Sequence, residues 1–457
     1  MDTIFSPNLA NAGRSKYKAL ADALRKAVAD GALTEGDRLP PVRELAYRCG
    51  VTPGTVARAY SLLIDEGLLE AGVGRGTFVA GAVSASRPPR WPEAVSLRTP
   101  VLPDGGQGAL LRDALRRIAE GGDMDALLDY PGRDNDGALR KALHAAMAGL
   151  PIGNFDAGDI VLAHGGQSAM LAVLQTVLKG SDPVVLIEAE AYPGFRRAAS
   201  LCRARVISIA CDGEGPLVSE IEAAARDEGA QIFLTSAEVN NPTLRCTSGE
   251  RRREIAAVAR RYGLHVLDDD CYRLNRPGAE SYRALLPDLG WYVSSMSKSF
   301  GPGLRVGWAI GPEGRAPDLV RSVAYGCFGV ARPLTELAYH VLTDSRYGAV
   351  LAAARRTMGQ RVRQAVNHLG GHDVTWHEDI PLLWISLPLG WRASRFVRAA
   401  QAQGVLLKSS EEFVAREARA PHCVRLAVDG RIAEGCFERA VDKVRNLLDN
   451  PQEELTV

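Results

Sequence analysis

The sequence lacks several features that would tie it to a membrane, an export route or a nucleic acid. Its formal net charge is only +1 over 457 residues, so any DNA-binding surface must be a local patch. No apolar run is long enough to span a bilayer, and residues 1–18 lack the apolar core of a signal peptide. We therefore expect a soluble, cytoplasmic protein.

Cysteine is sparse and scattered. The eight cysteines form no CxxC pair, and none has a histidine at zinc spacing. Reduced thiols of a cytosolic protein explain this scatter better than a disulfide framework or a metal site does. We therefore expect no bound metal.

The length predicts two or more domains, and patterning divides the chain into three zones. Residues 14–80 form a compact segment that ends in a glycine-rich hairpin. Residues 81–93 carry three prolines among small polar residues, which indicates an exposed linker. Over residues 94–450, short β-branched runs alternate with helical patterns such as 168–179 and 249–262. This alternation predicts an α/β domain with a largely parallel sheet.

The N-terminal segment has the pattern of three helices and a hairpin. Apolar residues at helical spacing predict helices over 17–28, from Pro40 onward, and up to Gly67. The third helix has Thr52 as its N-cap and Pro53 at its first helical position. The stretch LLEAGVGRGTFVA then gives two short strands around a glycine-rich turn. The set predicts a winged helix-turn-helix, although a three-helix unit can also serve protein interaction.

Three ordered motifs, LPPVRELA, GVTPGTVARAY and GRGTFV, favour DNA over a protein partner. Together they closely resemble the GntR-type DNA-binding domain. The resemblance implies that arginines of the two motif helices reach phosphates or base edges, that a threonine faces the major groove, and that the wing lies along the minor groove or backbone. The implied DNA contacts are Arg43, Thr55, Arg58, Arg75, Gly76 and Thr77.

The stretch SSMSKSFGPGLRVGW follows a predicted strand and contains the frame SxxSKxxxPGLRxGW. This frame resembles the class I aminotransferases, which are pyridoxal-phosphate enzymes of fold type I, and the likeness covers roughly residues 94–447. It implies that Lys298, as a neutral amine, forms the internal aldimine with pyridoxal 5'-phosphate. It also implies that Ser295 and Arg305 bind the phosphate.

Three consecutive aspartates end the predicted strand LHVLDDDCYRL. Such a run could be a metal site or a solvated turn. In the aminotransferase frame, the Asp-x-x-Tyr spacing implies that Asp269 pairs with the pyridine nitrogen and that Tyr272 reaches the phenolic oxygen of the cofactor. Asp268 and Asp270 are then structural.

The motif EVNNPTL resembles the NPTG turn of the same enzymes, with Leu244 in place of the glycine. The resemblance implies that Asn241 also bonds the phenolic oxygen. Asn241, Asp269 and Lys298 follow one another at nearly equal intervals of one helix-plus-strand unit. We therefore expect them at successive strand ends, where open α/β sheets bind ligands.

Five further positions complete the site by resemblance. Gly166 and Gln167 open a helix after a strand, and helix N-termini bind anions such as the cofactor phosphate. Tyr192 would stack on the cofactor ring, and Tyr130 would reach the phosphate of a neighbouring subunit. Arg425, in the CVRLAV element, would grip the carboxylate of a substrate or effector.

The two likenesses together resemble a MocR/GabR-type transcription regulator. This implies a homodimer that binds double-stranded operator DNA, senses a small amino compound by aldimine exchange at Lys298, and controls a neighbouring metabolic operon. The alternative is a catalytically active class I aminotransferase with an accessory DNA-binding domain, because the site residues are those that a transaminase needs. A dimerisation scaffold that binds no cofactor is disfavoured for the same reason.

Overall fold

The computed structural model describes residues 16–34, 36–65, 68–72, 76–79, 94–121, 123–133, 135–273 and 278–450. Internal contacts divide the chain into two compact units, Met1–Trp91 and Pro92–Val457, called unit 1 and unit 2 here. The expected linker over 81–93 and the expected DNA contact Arg75 fall outside the described residues.

Unit 1 contains three helices and a small antiparallel sheet. In chain order the elements are α1 (Lys16–Ala29), β1 (Arg38–Leu39), α2 (Val42–Cys49), α3 (Pro53–Asp65), β2 (Leu69–Gly72) and β3 (Gly76–Val79). The strand order is β1-β3-β2. The helices bury one shared apolar core that includes Leu24, Leu45 and Leu63. The winged helix-turn-helix that the sequence predicts is confirmed.

Local signals explain where the helices of unit 1 begin and end. The Thr52 hydroxyl accepts a hydrogen bond of 3.3 Å from the Thr55 amide, and Pro53 opens α3, as expected. The second helix begins at Val42 rather than at Pro40. It ends at Gly50, whose φ of 59° is in the left-handed region that glycine tolerates best.

Unit 2 begins with the elements that build a large sheet. They are β4 (Val95–Ser96), α4 (Gln107–Gly121), α5 (Gly137–Ala146), β5 (Ile160–Ala163), α6 (Gly166–Val177), β6 (Val184–Glu188), α7 (Pro193–Leu201), β7 (Arg205–Ile209), β8 (Cys211–Asp212), β9 (Gly215–Pro216), α8 (Val218–Asp227), β10 (Ile232–Thr235), α9 (Gly249–Tyr262), β11 (His265–Asp269), α10 (Tyr282–Leu285), β12 (Gly290–Ser295) and β13 (Gly307–Ile310).

The remaining elements of unit 2 begin with two helices that pack against the large sheet, and the others form a second, smaller layer. In chain order these elements are α11 (Ala316–Cys327), α12 (Arg332–Leu342), α13 (Tyr347–Leu369), β14 (Val374–His377), β15 (Ile380–Ser386), α14 (Ala393–Ala402), β16 (Val405–Leu406), β17 (Lys408–Ser409), β18 (Cys423–Ala427) and α15 (Glu434–Asp449). A four-stranded sheet of order β14-β15-β18-β17 packs in this layer, with Val424 and Leu426 of β18 in its core.

The large sheet has seven strands in the order β5-β13-β12-β11-β10-β6-β7. Strand β13 runs antiparallel to both of its neighbours, and the other pairings are parallel. Apolar side chains pack on both faces of the sheet, because parallel strands are covered by helices on each side. The predicted α/β fold with a largely parallel sheet is confirmed.

The candidate site lies at the carboxyl ends of these parallel strands, where loops leave the sheet. Helix α9 is an example of a helix whose two ends are determined by neighbouring residues in the sequence. The Ser248 side chain accepts a hydrogen bond from the Arg251 amide, and Gly263 ends the helix at φ 67°. None of the described helices combines the length and apolarity needed to cross a membrane.

Candidate functional site

The sheet brings five of the expected cofactor residues to one edge. Asp269 ends β11, Ser295 ends β12 and Gly166 opens α6 directly after β5. Lys298 lies three residues past the end of β12 in a turn, and Asn241 follows β10. The successive strand ends predicted from the spacing of Asn241, Asp269 and Lys298 are therefore present.

Lys298 and Tyr272 lie side by side at this edge. The Lys298 ammonium nitrogen lies 5.5 Å from the centre of the Tyr272 ring. The neighbouring Tyr272 raises the pKa of Lys298 above its ordinary value, against the opposing effect of burial. The amine is therefore held in its charged form at neutral pH.

Asp269 is half-buried beside this pair, with its Oδ1 atom fully buried. Its Oδ1 has no hydrogen-bond partner among the described residues. Burial raises its pKa to about 6, and the negative charge of Asp268 adds to the rise. A buried acceptor of this kind is stabilised by a cationic donor.

The two flanking aspartates are bound to the protein itself. Asp268 accepts a hydrogen bond of 3.2 Å from the Ala237 amide. Asp270 accepts bonds from Arg273 Nε at 3.0 Å and from the Tyr292 hydroxyl at 2.8 Å. These contacts connect neighbouring strands and loops, so both side chains act as local braces.

Glycine, serine and arginine converge on the start of α6. Gly165 has φ 83°, and a Cβ there would lie 2.5 Å from Arg305 Nη2. The same Arg305 nitrogen donates to the carbonyl of His164 at 3.0 Å. A Cβ on Gly166 would lie 3.9 Å from the Ser295 hydroxyl. A helix N-terminus, a guanidinium and a hydroxyl thus form a cradle that suits an anion.

Gln167 and Tyr192 flank the same region. Gln167 Nε2 donates to the Gly194 carbonyl at 3.1 Å. Tyr192 precedes α7 and packs edge-on against Phe195 with ring centres 5.9 Å apart. Burial raises the pKa of Tyr192, the charge of Asp269 raises it further, and Lys298 opposes the shift. Tyr192 therefore lies within electrostatic reach of both site residues.

Arg425 reaches the site from β18 of the small sheet. It is 4% exposed, and its Nη1 donates to the side-chain oxygen of Asn241 at 2.8 Å. Its Nη2 donates to the Arg98 carbonyl, and its guanidinium carbon lies 5.0 Å from the centre of the Phe413 ring. Burial lowers the pKa of this arginine. A buried guanidinium bonded only to neutral acceptors suits a carboxylate ligand.

A buried carboxylate that the motifs do not mark holds the Asn241 turn. Glu188 Oε2 accepts from Asn240 Nδ2 at 2.7 Å, and its Oε1 accepts from the Thr235 hydroxyl at 2.7 Å. The Asn240 oxygen in turn accepts from the Thr243 hydroxyl at 2.8 Å. Leu244 then adopts φ 60°, where related turns have glycine. In the sequence, the one sign that Glu188 has a structural role is its position at the end of an otherwise apolar strand.

Tyr130 lies apart from these groups on an exposed surface. Its side chain is 79% exposed, and its ring centre lies 5.3 Å from that of Phe328, which is 67% exposed. Leu128 and Tyr325 are exposed as well. The role expected for Tyr130 at a neighbouring subunit stays a prediction.

The expected DNA contacts of unit 1 are accessible. Arg43 and Arg58 are exposed, and Thr55 and Thr77 are half-buried. The Arg58 guanidinium lies over the ring of Tyr17, 4.6 Å from its centre. A Cβ on Gly76 (φ 114°) would lie 3.1 Å from Arg38 Nε. Arg38 is thus a further exposed cation at the hairpin that the motifs had not marked.

Residues 93–444, well over half of the chain, match the profile of the aminotransferase class I and II family. The chain belongs to this family. Residues 16–79 also match the gntR family of bacterial regulatory proteins. The resemblance to regulators that join these two domains is thereby confirmed.

Two relatives align with this chain over most of its length. The uncharacterized HTH-type transcriptional regulator YdeF of Bacillus subtilis is 27% identical over 457 residues, which cover 98% of this chain and 97% of its own. The vitamin B6 salvage pathway transcriptional repressor PtsJ of Salmonella typhimurium is 26% identical, over 86% of this chain and 90% of its own.

A solved aminotransferase of this family has the fold of unit 2. LysN, the alpha-aminoadipate aminotransferase of Thermus thermophilus, was crystallised with N-(5'-phosphopyridoxyl)-L-leucine. It superposes with a TM-score of 0.69 at 20% identity, over 78% of this chain and 92% of its own. At this identity the likeness shows the fold alone.

The donor set of the site fits pyridoxal phosphate, the cofactor that the family fold implies. A protonated ring nitrogen needs a buried acceptor, and Asp269 Oδ1 is one without a partner in the described part of the chain. A phosphate needs donors and positive charge, which Ser295, Arg305 and the start of α6 offer together. An aldehyde needs an amine, and Lys298 lies beside Tyr272.

Proposed function

We propose that this chain is a transcription regulator that binds operator DNA through unit 1 and senses a small amino compound at Lys298 in unit 2, with pyridoxal phosphate as cofactor. The observation that carries the proposal is the presence, in one chain, of a gntR-type domain and of a lysine grouped with Asp269, Tyr272 and Arg425 at a sheet edge.

Pyridoxal phosphate supplies an aldehyde that reacts reversibly with primary amines and a ring that withdraws electrons. We assign the remaining tasks to the protein. Lys298 provides the amine that holds the cofactor, and Asp269 keeps its ring nitrogen protonated. Ser295, Arg305, Gly166 and Gln167 bind the phosphate. Tyr192 packs against the ring, and Tyr272 and Asn241 orient its phenolic oxygen.

Arg425 is the proposed receptor for the carboxylate of the amino compound. The side-chain oxygen of Asn241 already occupies Nη1, so an incoming carboxylate replaces a neutral acceptor with a charged one. Because Asn241 follows β10 and Arg425 lies on β18, this exchange acts on a contact between the two sheets of unit 2. An effector can shift the equilibrium between two conformations of the protein only by the difference between its affinities for them.

A homodimer accounts for the exposed apolar surface formed by Leu128, Tyr130, Tyr325 and Phe328. Contiguous apolar patches of this kind are typical of protein interfaces. We propose that a second copy covers this surface and that Tyr130 reaches the partner's phosphate site. A dimer presents two DNA-binding domains, which favours an operator with two half-sites.

Attachment of the cofactor can be tested directly. Borohydride reduction of the loaded protein followed by peptide mapping should place the modification on Lys298. The variant Lys298→Ala should show none, and the exposed control Lys179→Ala should match the parent. A label on another lysine, or no uptake of cofactor, would remove this part of the proposal.

The second candidate function is a working aminotransferase, which the complete grouping of Lys298, Asp269, Tyr272 and Arg425 favours. DNase footprints on the DNA upstream of its own gene, with and without a panel of amino acids, should be run beside an assay for keto-acid formation. A footprint that changes with one amine, with little turnover, supports the regulator. Sustained turnover with a footprint that ignores every amine supports the enzyme instead.

A further inference from the structure

A cavity of about 290 Å³ lies beside Lys298 inside unit 2. Its walls come from β12 and β13, from the helices α5, α12 and α13, and from the start of β15. Most of the lining is apolar, and it includes Leu102, Leu143, Met147, Leu342, Leu351 and Met358. The volume is near the lower end of pockets that hold small ligands, so it can receive the side chain of an amino acid.

Two buried polar atoms without partners belong to residues that line this cavity. Trp308 is 7% exposed and Asp270 is 5% exposed. Neither Trp308 Nε1 nor Asp270 Oδ1 has a hydrogen-bond partner within the described residues. Native structures pair most buried donors and acceptors, so an unpaired donor and an unpaired acceptor at one cavity indicate a ligand group that satisfies both.

The charges that line the cavity balance, apart from the reacting lysine. Arg273 and Arg355 contribute two positive charges, and Asp270 and Asp379 contribute two negative charges. Arg273 is bonded to Asp270. Because the net charge is close to zero, a neutral polar group fits better than an ionised one.

Tyr272 connects the cavity to the proposed effector site. It lines the cavity, lies beside Lys298, and is close enough to Arg425 to oppose the fall in the pKa of that arginine. An amino acid with its carboxylate on Arg425 and its amine at Lys298 can therefore direct its side chain past Tyr272 into the cavity.

We propose that this cavity receives the effector's side chain and that Trp308 and Asp270 select a terminal carboxamide, which both donates and accepts hydrogen bonds. The inference rests on the proposed function, because it places the amine of the same effector at Lys298. It identifies the effector class as an amino acid with an uncharged polar end.

Four probes separate the contributions of the cavity. Alanine has too short a side chain to enter it, norvaline has an apolar end, glutamine ends in a carboxamide, and glutamate ends in a charge. Binding to the cofactor-loaded protein is measured by isothermal titration calorimetry and by thermal shift. Glutamine should bind about five- to tenfold more tightly than norvaline or glutamate.

Two variants and one matched control test the residues. Trp308→Phe keeps an aromatic ring but removes the hydrogen-bond donor. The affinity for glutamine should therefore fall to that for norvaline, while the affinity for norvaline is unchanged. Ala146→Trp places a large side chain at the cavity wall on α5. It should weaken the binding of glutamine and norvaline about tenfold but leave the binding of alanine unchanged. Ala145→Trp, on the exposed neighbour that does not line the cavity, should match the parent.

The outcomes distinguish this inference from the proposed function. If all four proteins take up cofactor and bind alanine, the proposed site stands. If glutamine then binds no better than norvaline, or if Ala146→Trp leaves both unchanged, the cavity assignment is overturned. If the parent takes up no cofactor or binds no amino acid, the proposed function fails and this inference fails with it.

Discussion

The side-chain oxygen of Asn241 accepts a hydrogen bond of 2.8 Å from Arg425 Nη1 across 184 positions of sequence. The bond joins the turn after β10 to strand β18 of the small sheet. Arg425 is therefore occupied by a neutral acceptor, and a carboxylate must compete with it. In the function that we propose, the strength of this contact determines how readily the effector carboxylate reaches Arg425.

Asn241→Asp should weaken effector binding. The new carboxylate would form a buried ion pair with Arg425 that an effector carboxylate would have to break, so we expect affinity to fall about 10- to 100-fold. Calorimetric titration of the loaded variant with the amino acid that binds the parent measures this. An exposed control, Asp182→Asn, should leave affinity unchanged. Equal affinity in parent and Asn241→Asp would show that Arg425 does not receive the carboxylate.

Asp269 should make the cofactor-free protein sensitive to pH. Burial raises its pKa to about 6 from a reference value of 3.8. Its contribution to stability is therefore complete below about pH 4 and is lost as pH rises through about 6. The loss amounts to at most about 3 kcal/mol.

Urea unfolding of parent and Asp269→Asn between pH 4 and pH 7, without cofactor, isolates this contribution. As pH rises, the free energy of unfolding should fall in the parent because Asp269 ionises. The variant lacks this carboxyl group, so its stability relative to the parent should increase. With pyridoxal phosphate present, the variant should instead gain less stability than the parent, because it binds the ring nitrogen less well. Two pH profiles that stay parallel would show that Asp269 is not the buried unpaired carboxylate described here.

Tyr272 should control how fast Lys298 takes up cofactor. The pKa of Lys298 is raised chiefly by Tyr272 and least, among the causes resolved, by Tyr192. Attachment needs the neutral amine, so its rate should rise about tenfold per pH unit below the pKa. Stopped-flow absorbance after mixing with pyridoxal phosphate should place the profile of Tyr272→Phe at lower pH than that of the parent. Tyr192→Phe should shift less, and identical profiles for all three would refute the pairing.

Arg58 should contribute to operator binding from its place over the Tyr17 ring. Arg58→Ala should cost about 1–3 kcal/mol if the guanidinium touches a base, and should reduce the salt slope by about 1 if it touches a phosphate. Mobility shifts at several salt concentrations distinguish the two cases. Arg25→Ala, which removes the same charge from α1 where it pairs with Asp22, is the control. No change in Arg58→Ala at any salt would exclude it from the interface.

The sequence predicted most accurately those features that depend on residues close to one another in the chain, such as the ends of helices and strands. Helix α9 spans Gly249–Tyr262 as expected, because Ser248 caps its start and Gly263 its end. The helix expected over 168–179 begins two residues earlier, at Gly166, because Gly165 provides the turn that opens it. Ordered motifs placed Lys298 and Asp269 at strand ends for the same reason, since each belongs to one helix-plus-strand unit.

Contacts between distant segments could not be predicted in this way. The bond between Asn241 and Arg425 depends on how two sheets pack, and the strand β13 runs antiparallel because it returns from the Lys298 turn. Leu244 adopts a left-handed conformation that a sequence pattern would assign to glycine, because the turn around it is fixed by Glu188 and Asn240. The cavity at Trp308 likewise depends on side chains from several separate elements.

We propose that the chain senses an amine through Lys298 and binds DNA through a domain that does not need this lysine. Unit 1 has its own apolar core and its own exposed arginines. Lys298→Ala should therefore bind the operator about as tightly as the parent while losing its response to the effector.

The decisive measurement is a DNase footprint with a matching reporter assay on the parent and Lys298→Ala, each with and without the amino acid that alters the parent. The account predicts the same footprint for both proteins without the amino acid and a change only in the parent when it is added. A full response of Lys298→Ala to the amino acid would contradict the account, because sensing would then not depend on the amine of Lys298.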